Sequence, residues 1–353
     1  MGKSLMRCAA ASAMVAFCCS LLAAGSAMAV DDAAILAKRP PKLLSGFGFF
    51  ADASRQVSAE GVLPFAPATP LFTDFAEKRR FVYMPDGKAA EYDGNEAFRF
   101  PVGSALIKTF AYPDESEDGL HLVETRVLLH QEGGWQAWAY IWNDAQSDAE
   151  LNITGARIDM EIPVPDGGMK QITYAVPNKN QCKGCHAIDG KITPIGPKAR
   201  NLNHEFGYGD GIENQLVRWA SAGILAGAPA PEKAPSAPAW LDETAALDDR
   251  ARAWLDINCA HCHRREGPAS NSGLFLTWDE RDKTAYGIFK RPVAAGRGSG
   301  GLQFSIVPGA PDKSILLYRV KSTEPGVMMP ELGRSLTDPR AVNLLRNWIA
   351  SLR

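Results

Sequence analysis

The chain has no basic tract. Its 38 lysines and arginines are scattered and are outnumbered by 40 acidic residues, for a formal net charge of −2. That excludes the phosphate-neutralising surface on which nucleic-acid binding depends. Beyond the N-terminal apolar stretch, no run is long and apolar enough to span a bilayer. Cysteine is scarce: there are seven, and Cys8, Cys18 and Cys19 fall in that N-terminal stretch. The other four are Cys182, Cys185, Cys259 and Cys262, and they occur as two close pairs. All four are taken up by one repeated motif, which argues against a disulfide scaffold. No nucleophile–base arrangement is visible either.

The N-terminus reads as an export signal. Lys3 and Arg7 precede the apolar run from Cys8 to Ala24, and Ala27-Met28-Ala29 supplies small residues for cleavage. The pattern predicts a signal peptide over 1–29, cleaved near Ala29. Phe17 is too bulky for lipoprotein processing. Loss of Lys3 and Arg7 leaves 36 basic against 40 acidic residues, a formal charge of −4. About 324 residues remain, enough for two or three domains.

What is present is one pattern, twice. Residues 182–186 read Cys-Lys-Gly-Cys-His, and 259–263 read Cys-Ala-His-Cys-His. Cys-x-x-Cys-His is the attachment signature of c-type haem: two thiols add to the vinyl groups and the adjacent imidazole ligates the iron. A zinc site or a redox disulfide is the alternative for any Cys-x-x-Cys. Here each pair is followed at once by His, and the pairs lie too far apart for a compact zinc ribbon. The expected cofactors are two covalently bound haem c groups, with Cys182, Cys185 and His186 holding one and Cys259, Cys262 and His263 the other. His261 is read as a surface or propionate-side residue. Haem attached outside the cytoplasm, together with the signal, predicts the periplasm of a Gram-negative bacterium.

The organisation follows from periodicity and breakers. Residues 30–44 form a leader with Pro40-Pro41, and 45–177 read as a β-rich domain. Strands fit 104–112, 121–131, 134–143, 155–163 and 169–176. Trp138, Tyr140 and Trp142 alternate and share one strand face, read as core in preference to a docking surface or a wall against haem. A first haem unit fits 178–225, with a helix over 212–224. Residues 226–239, rich in Ala and Pro, are an interdomain linker. A second cytochrome c domain fits 240–353, with helices over 242–258 and 312–320, the latter facing Ile315, Leu316 and Tyr318 inward. A last helix is capped by Asp338 and begins at Pro339. The predicted fold class is α+β multidomain: an N-terminal antiparallel, sandwich-like β domain followed by two small all-α cytochrome c-like units.

Further ligands are sought among the remaining donors. Val327-Met328-Met329-Pro330 follows the 312–320 helix, and Met329, directly before proline, is the expected sixth ligand of the second haem, ahead of Met328. No Met lies between Cys185 and the linker. His204 is the candidate to close the first haem. Met160, Met169, His121, His130, Tyr208 and an open position remain as alternatives. Pro197 is expected to offer its carbonyl to the first proximal imidazole. The loop from Gly296 to Gly301 lacks a phosphate-loop ending. Its Arg297 is a candidate partner for a haem propionate, as is Arg334. The acidic run from Asp114 to Asp118 reads as a solvated turn.

These residues resemble a family of bacterial periplasmic dihaem c-type cytochromes of unassigned reaction. The segments Asn258 to His263 and Val327-Met328-Met329-Pro330-Glu331-Leu332-Gly333-Arg334 carry the resemblance most specifically. It implies two covalent haems and a redox role, with periplasmic donor or acceptor proteins as partners, a secreted dehydrogenase among them. The expected function is single-electron transfer. The alternative is a dihaem peroxidase or oxidase with the first haem as its reactive site, and binding of an extracellular polymer by the β domain is a third reading.

Overall fold

A computed structural model describes residues 29–114 and 119–353. The expected signal peptide before Ala29 and residues 115–118 of the acidic run lie outside the described residues. Six strands pair antiparallel in chain order: Val62–Phe65, Glu77–Tyr83, Ala105–Pro113, Leu120–Gln131, Gly134–Trp142 and Ala149–Asn152. Short connections make such a meander the simplest pairing. Gly134, at φ 97°, turns the hairpin after Gln131 in a conformation that suits glycine.

Register sets the two faces of this sheet. Phe81 lies opposite Ile107, Ile107 opposite Val127, and Val127 opposite Trp138. These residues join Phe47, Phe49 and Tyr140 in one core. Helix α1 (Asp32–Leu36), capped by the Asp31 carboxylate, adds the fully buried Ile35, so the leader is part of the fold. One position along the strands, Val82 lies opposite Leu106 and Leu106 opposite Leu128. This second face packs against Phe98, Phe100, Leu202, Leu216 and Trp219. Trp219 is fully buried between the edges of Phe65 and Phe98, with ring centroids 5.4 and 6.0 Å away. Trp138, Tyr140 and Trp142 are buried, which removes the aromatic platform that polymer binding needs.

The expected sandwich with two small all-α units is not what forms. The protein is a β-rich, multi-sheet fold, and its second sheet face is covered by loops and short helices in place of another sheet. The segment after the first motif carries α2 (Lys179–His186), α3 (Ala199–Leu202) and α4 (Gln215–Ser221), interleaved with the ribbons 187–192 and 205–214. Helices of eight, four and seven residues are too short to build a helical core of their own. Residues 212–214, expected as the start of a helix, belong to a strand that begins at Gly211. In the C-terminal segment α5 (Leu247–Asn258), α6 (Ile315–Lys321) and α7 (Pro339–Ser351) share a core around Trp254, Leu255, Leu317, Leu345 and Trp348. Between α5 and α6 the chain runs through 3-10 turns and loops, as its glycines and prolines dictate. Tyr318 points away from this core and covers Gly300, where a Cβ would lie 2.7 Å from the ring.

Polar contacts lock these parts together. Arg200 of α3 donates to both Asp256 oxygens of α5 at 3.0 Å, and both side chains are buried. The expected linker is strapped down: Asn203 Nδ2 donates to the carbonyls of Pro231 and Ala234, and the Ala237 N–H to that of Arg200. Arg200→Met strands a buried carboxylate and is expected to cost about 3–5 kcal/mol. Arg99→Gln, which breaks the solvent-accessible ion pairs of Arg99 with Glu91 and Asp93, is expected to cost under about 1 kcal/mol. Urea unfolding of the two variants checks the contrast.

Candidate functional site

The first motif lies on α2, whose start is fixed by a capping box between Asn178 and Gln181. The helical turn places Cys182, Cys185 and His186 together. The second motif begins where α5 ends: Cys259 closes the helix and its carbonyl accepts from the N–H groups of Cys262 and His263 at 3.1 and 2.9 Å. Gly267 lies so close that a Cβ there would collide with the Cys262 carbonyl. Both motifs open on one cavity of about 630 Å³, walled by the six-stranded sheet, α5 and α6.

The thiols are free and half-buried. Ligand atoms of Cys185, His261 and Cys262 lie within 4.8 Å of one another, so the two motifs meet at these residues. Hydrogen bonds from the Cys262 thiol and from His261 hold the Cys185 thiol well below its ordinary range, and the same contact pushes Cys262 up. Burial raises Cys182 and pushes Cys259 up to about 12. His261, expected as a surface or propionate-side residue, lines the cavity, and its buried Nδ1 has no hydrogen-bond partner among the described residues.

The two motif imidazoles are oriented through Nδ1. His186 Nδ1 donates to the Thr193 carbonyl at 2.9 Å, and that leaves Nε2 as the nitrogen with a free lone pair. The Pro197 carbonyl, expected in this role, accepts from the Phe98 N–H instead. His263 Nδ1 lies 3.3 Å from Ser272 Oγ. Burial lowers both histidines to about 4, which keeps them in the neutral form that ligates a metal.

Met329 lines the cavity, whereas Met328 does not. Its loop is held by Arg334, which donates to the carbonyls of Met329, Ser322 and Leu336 at 2.8–2.9 Å. Arg334 is thus a backbone clamp, not a propionate partner. Asp74, from the β region, accepts from the Ser335 and Leu336 N–H groups at 2.7 Å and fixes the far end of the same loop.

Other expected site residues lie off the cavity. Arg297 is exposed and pairs with Glu324 at 2.8 Å, because its turn packs against the loop before Met329. The His204 ring nitrogens lie 2.8 and 3.0 Å from the Glu205 and Ala66 carbonyls, with the Gln215 amide 2.9 Å from Nε2. These bonds occupy the atoms a metal needs. His130 is stacked on Trp135, Met169 and His121 are exposed, and Met160 and Tyr208 pack elsewhere. Sequence reasoning missed Arg80, Lys108 and Arg126, which line the cavity from adjacent strands. Their signal was a charge at positions where neighbours two residues away, such as Leu106, Phe110 and Leu128, face a core.

Free paired thiols, neutral imidazoles, a thioether and apolar walls make a donor set that fits a covalently held haem at each motif. Arg334→Gln would leave several carbonyls of the Met329 loop unsatisfied and is expected to cost about 2–4 kcal/mol. Hydrogen exchange across Val327 to Leu332 should accelerate, while that of the central strands stays slow. Compared with known proteins, the chain matches no family model, no curated protein and no solved structure.

Proposed function

We propose that this protein is an exported dihaem electron carrier. The observation that carries this reading is the convergence of both Cys-x-x-Cys-His motifs on one cavity, with Cys185 and Cys262 in contact. A bound haem supplies a one-electron ferric/ferrous couple whose potential the protein tunes. Cys182 and Cys185, and Cys259 and Cys262, anchor the two groups. His186 and His263 offer Nε2 from one side, each steadied through Nδ1. Met329 offers a thioether on the second group, and Arg334 and Asp74 keep its loop from wandering. The apolar walls limit water, which keeps the change in charge on electron transfer from being fully solvated. Partners are redox proteins of the periplasm, a secreted dehydrogenase among them. No helix among the described residues is long and apolar enough to cross a membrane.

One observation favours a rival. None of the residues expected to close the first site lines the cavity: His204, Met160, Met169, His121, His130 and Tyr208 all lie elsewhere. A dihaem peroxidase or oxidase would use such an open position. High-spin iron at the first site with peroxide turnover would establish the enzyme. Two low-spin irons inert to added ligands would reject it.

Potentiometric titration of the protein matured in a competent host tests the carrier directly. Two one-electron waves are expected, and Met329→Ala should lower one of them and leave the other in place. A colourless protein with no redox wave would overturn the proposal.

A further inference from the structure

The cations on the cavity wall pose a problem that the electron-carrier reading does not answer. Arg80 lies directly opposite Lys108, and Lys108 directly opposite Arg126, on three adjacent strands. Like charges facing each other across a sheet repel, and burial strengthens the repulsion. Burial lowers Arg80 to about 10, and burial with its two neighbours holds Lys108 well below its ordinary range. Among the described residues neither has an ion-pair partner: Arg80 donates to the Lys78 carbonyl at 3.1 Å, and the Lys108 ammonium rests 4.7 Å over the Phe110 ring.

The neighbouring charges do not resolve this. Glu124 takes two 2.7 Å bonds from Arg126 and a third from the Tyr174 hydroxyl, so it is already spent on Arg126. Asp74 faces the Met329 loop. Lys78 adds another cation, lowered to about 7 by burial and by Arg80, with its ammonium on the Ala76 carbonyl. Across these three strands Arg80, Lys108 and Arg126 share one carboxylate, Glu124, an excess of two positive charges, and the other charged lining residues, Arg319 and Glu331, pair with each other at 3.8 Å. The three strand cations line the same cavity as Cys182, Cys185 and His186.

We infer that Arg80, Lys108 and Arg126 form an anion-binding wall that grips the two propionate carboxylates of the haem anchored at Cys182 and Cys185. This rests on the dihaem reading. Two carboxylates balance the excess of two, and Arg80 and Lys108 are the members with donors to spare. They are positioning residues: they fix how the porphyrin lies against the sheet and, by their charge, favour ferrous over ferric iron at the first site.

The test uses the matured protein and its two redox waves. The Met329→Ala variant marks the second wave, which identifies the first by difference. Lys108→Met and, separately, Arg80→Met are expected to retain two haems per chain by intact mass while the first wave moves to lower potential. Lys108→Arg should restore it, and the second wave should stay in place throughout. Two attached haems with an unmoved first wave would overturn the inference, as would a Lys108→Arg variant that behaves like Lys108→Met. A wild-type protein without attached porphyrin would instead overturn the dihaem reading itself, and the two failures are read from different lanes of the same experiment.

Discussion

The buried ion pair between Arg200 and Asp256 fixes the geometry on which the site depends. Arg200 follows the first motif by fourteen residues, and Asp256 precedes the second by three. Joining them with two 3.0 Å bonds brings two motifs distant in sequence to one cavity. The pair is fully engaged: Arg200 Nη1 also donates to the Asn95 carbonyl at 2.6 Å, and Asp256 accepts from the Trp278 N–H at 3.0 Å. Such satisfaction is what makes a buried pair tolerable, since each desolvated charge otherwise costs several kcal/mol. Arg264 of the second segment adds bonds of 2.9 and 3.0 Å to Glu96, beside Asn95, so the same corner is tied twice.

The sheet is a working wall, not a separate module. One face closes on its own aromatic core, and the other is shared between the packing of Trp219 and the cavity. This arrangement explains how the first motif manages with an eight-residue helix that buries none of its own residues. Its surroundings come from the β region. The second motif draws more on its own segment, through α5, α6 and α7, yet it too depends on the sheet side, because Asp74 anchors the Met329 loop and the Phe72 N–H donates to Asn258 Oδ1 at 2.8 Å. In the proposed carrier, two attachment sites in contact would shorten the path for an electron between them. The surrounding ion pairs and loop anchors hold that contact in place.

Much of the site was legible because its chemistry is local in sequence. The residues of both motifs and Met329 were singled out from short local patterns, and the structure gathers them on one cavity. The long strands were legible through alternation, to within a residue or so at most ends. What escaped depended on distant partners. Arg297 looked free until Glu324 came beside it, and His204 looked like a ligand until Ala66 and Gln215 claimed its ring. The all-α expectation failed for a related reason. Helix, motif and closing helix suggested small bundles, but the segments between carry the glycines and prolines that make ribbons and 3-10 turns. The cationic row was hidden because a charged residue in a strand reads by default as solvent-facing.

The central claim is that two porphyrins are bonded to this chain at adjoining sites. Mass spectrometry of proteolytic peptides from the matured protein tests it most directly. The account predicts two haem-bearing peptides, one containing Cys182 and Cys185 and the other Cys259 and Cys262. Unmodified peptides, or a bridge between Cys185 and Cys262, would contradict it.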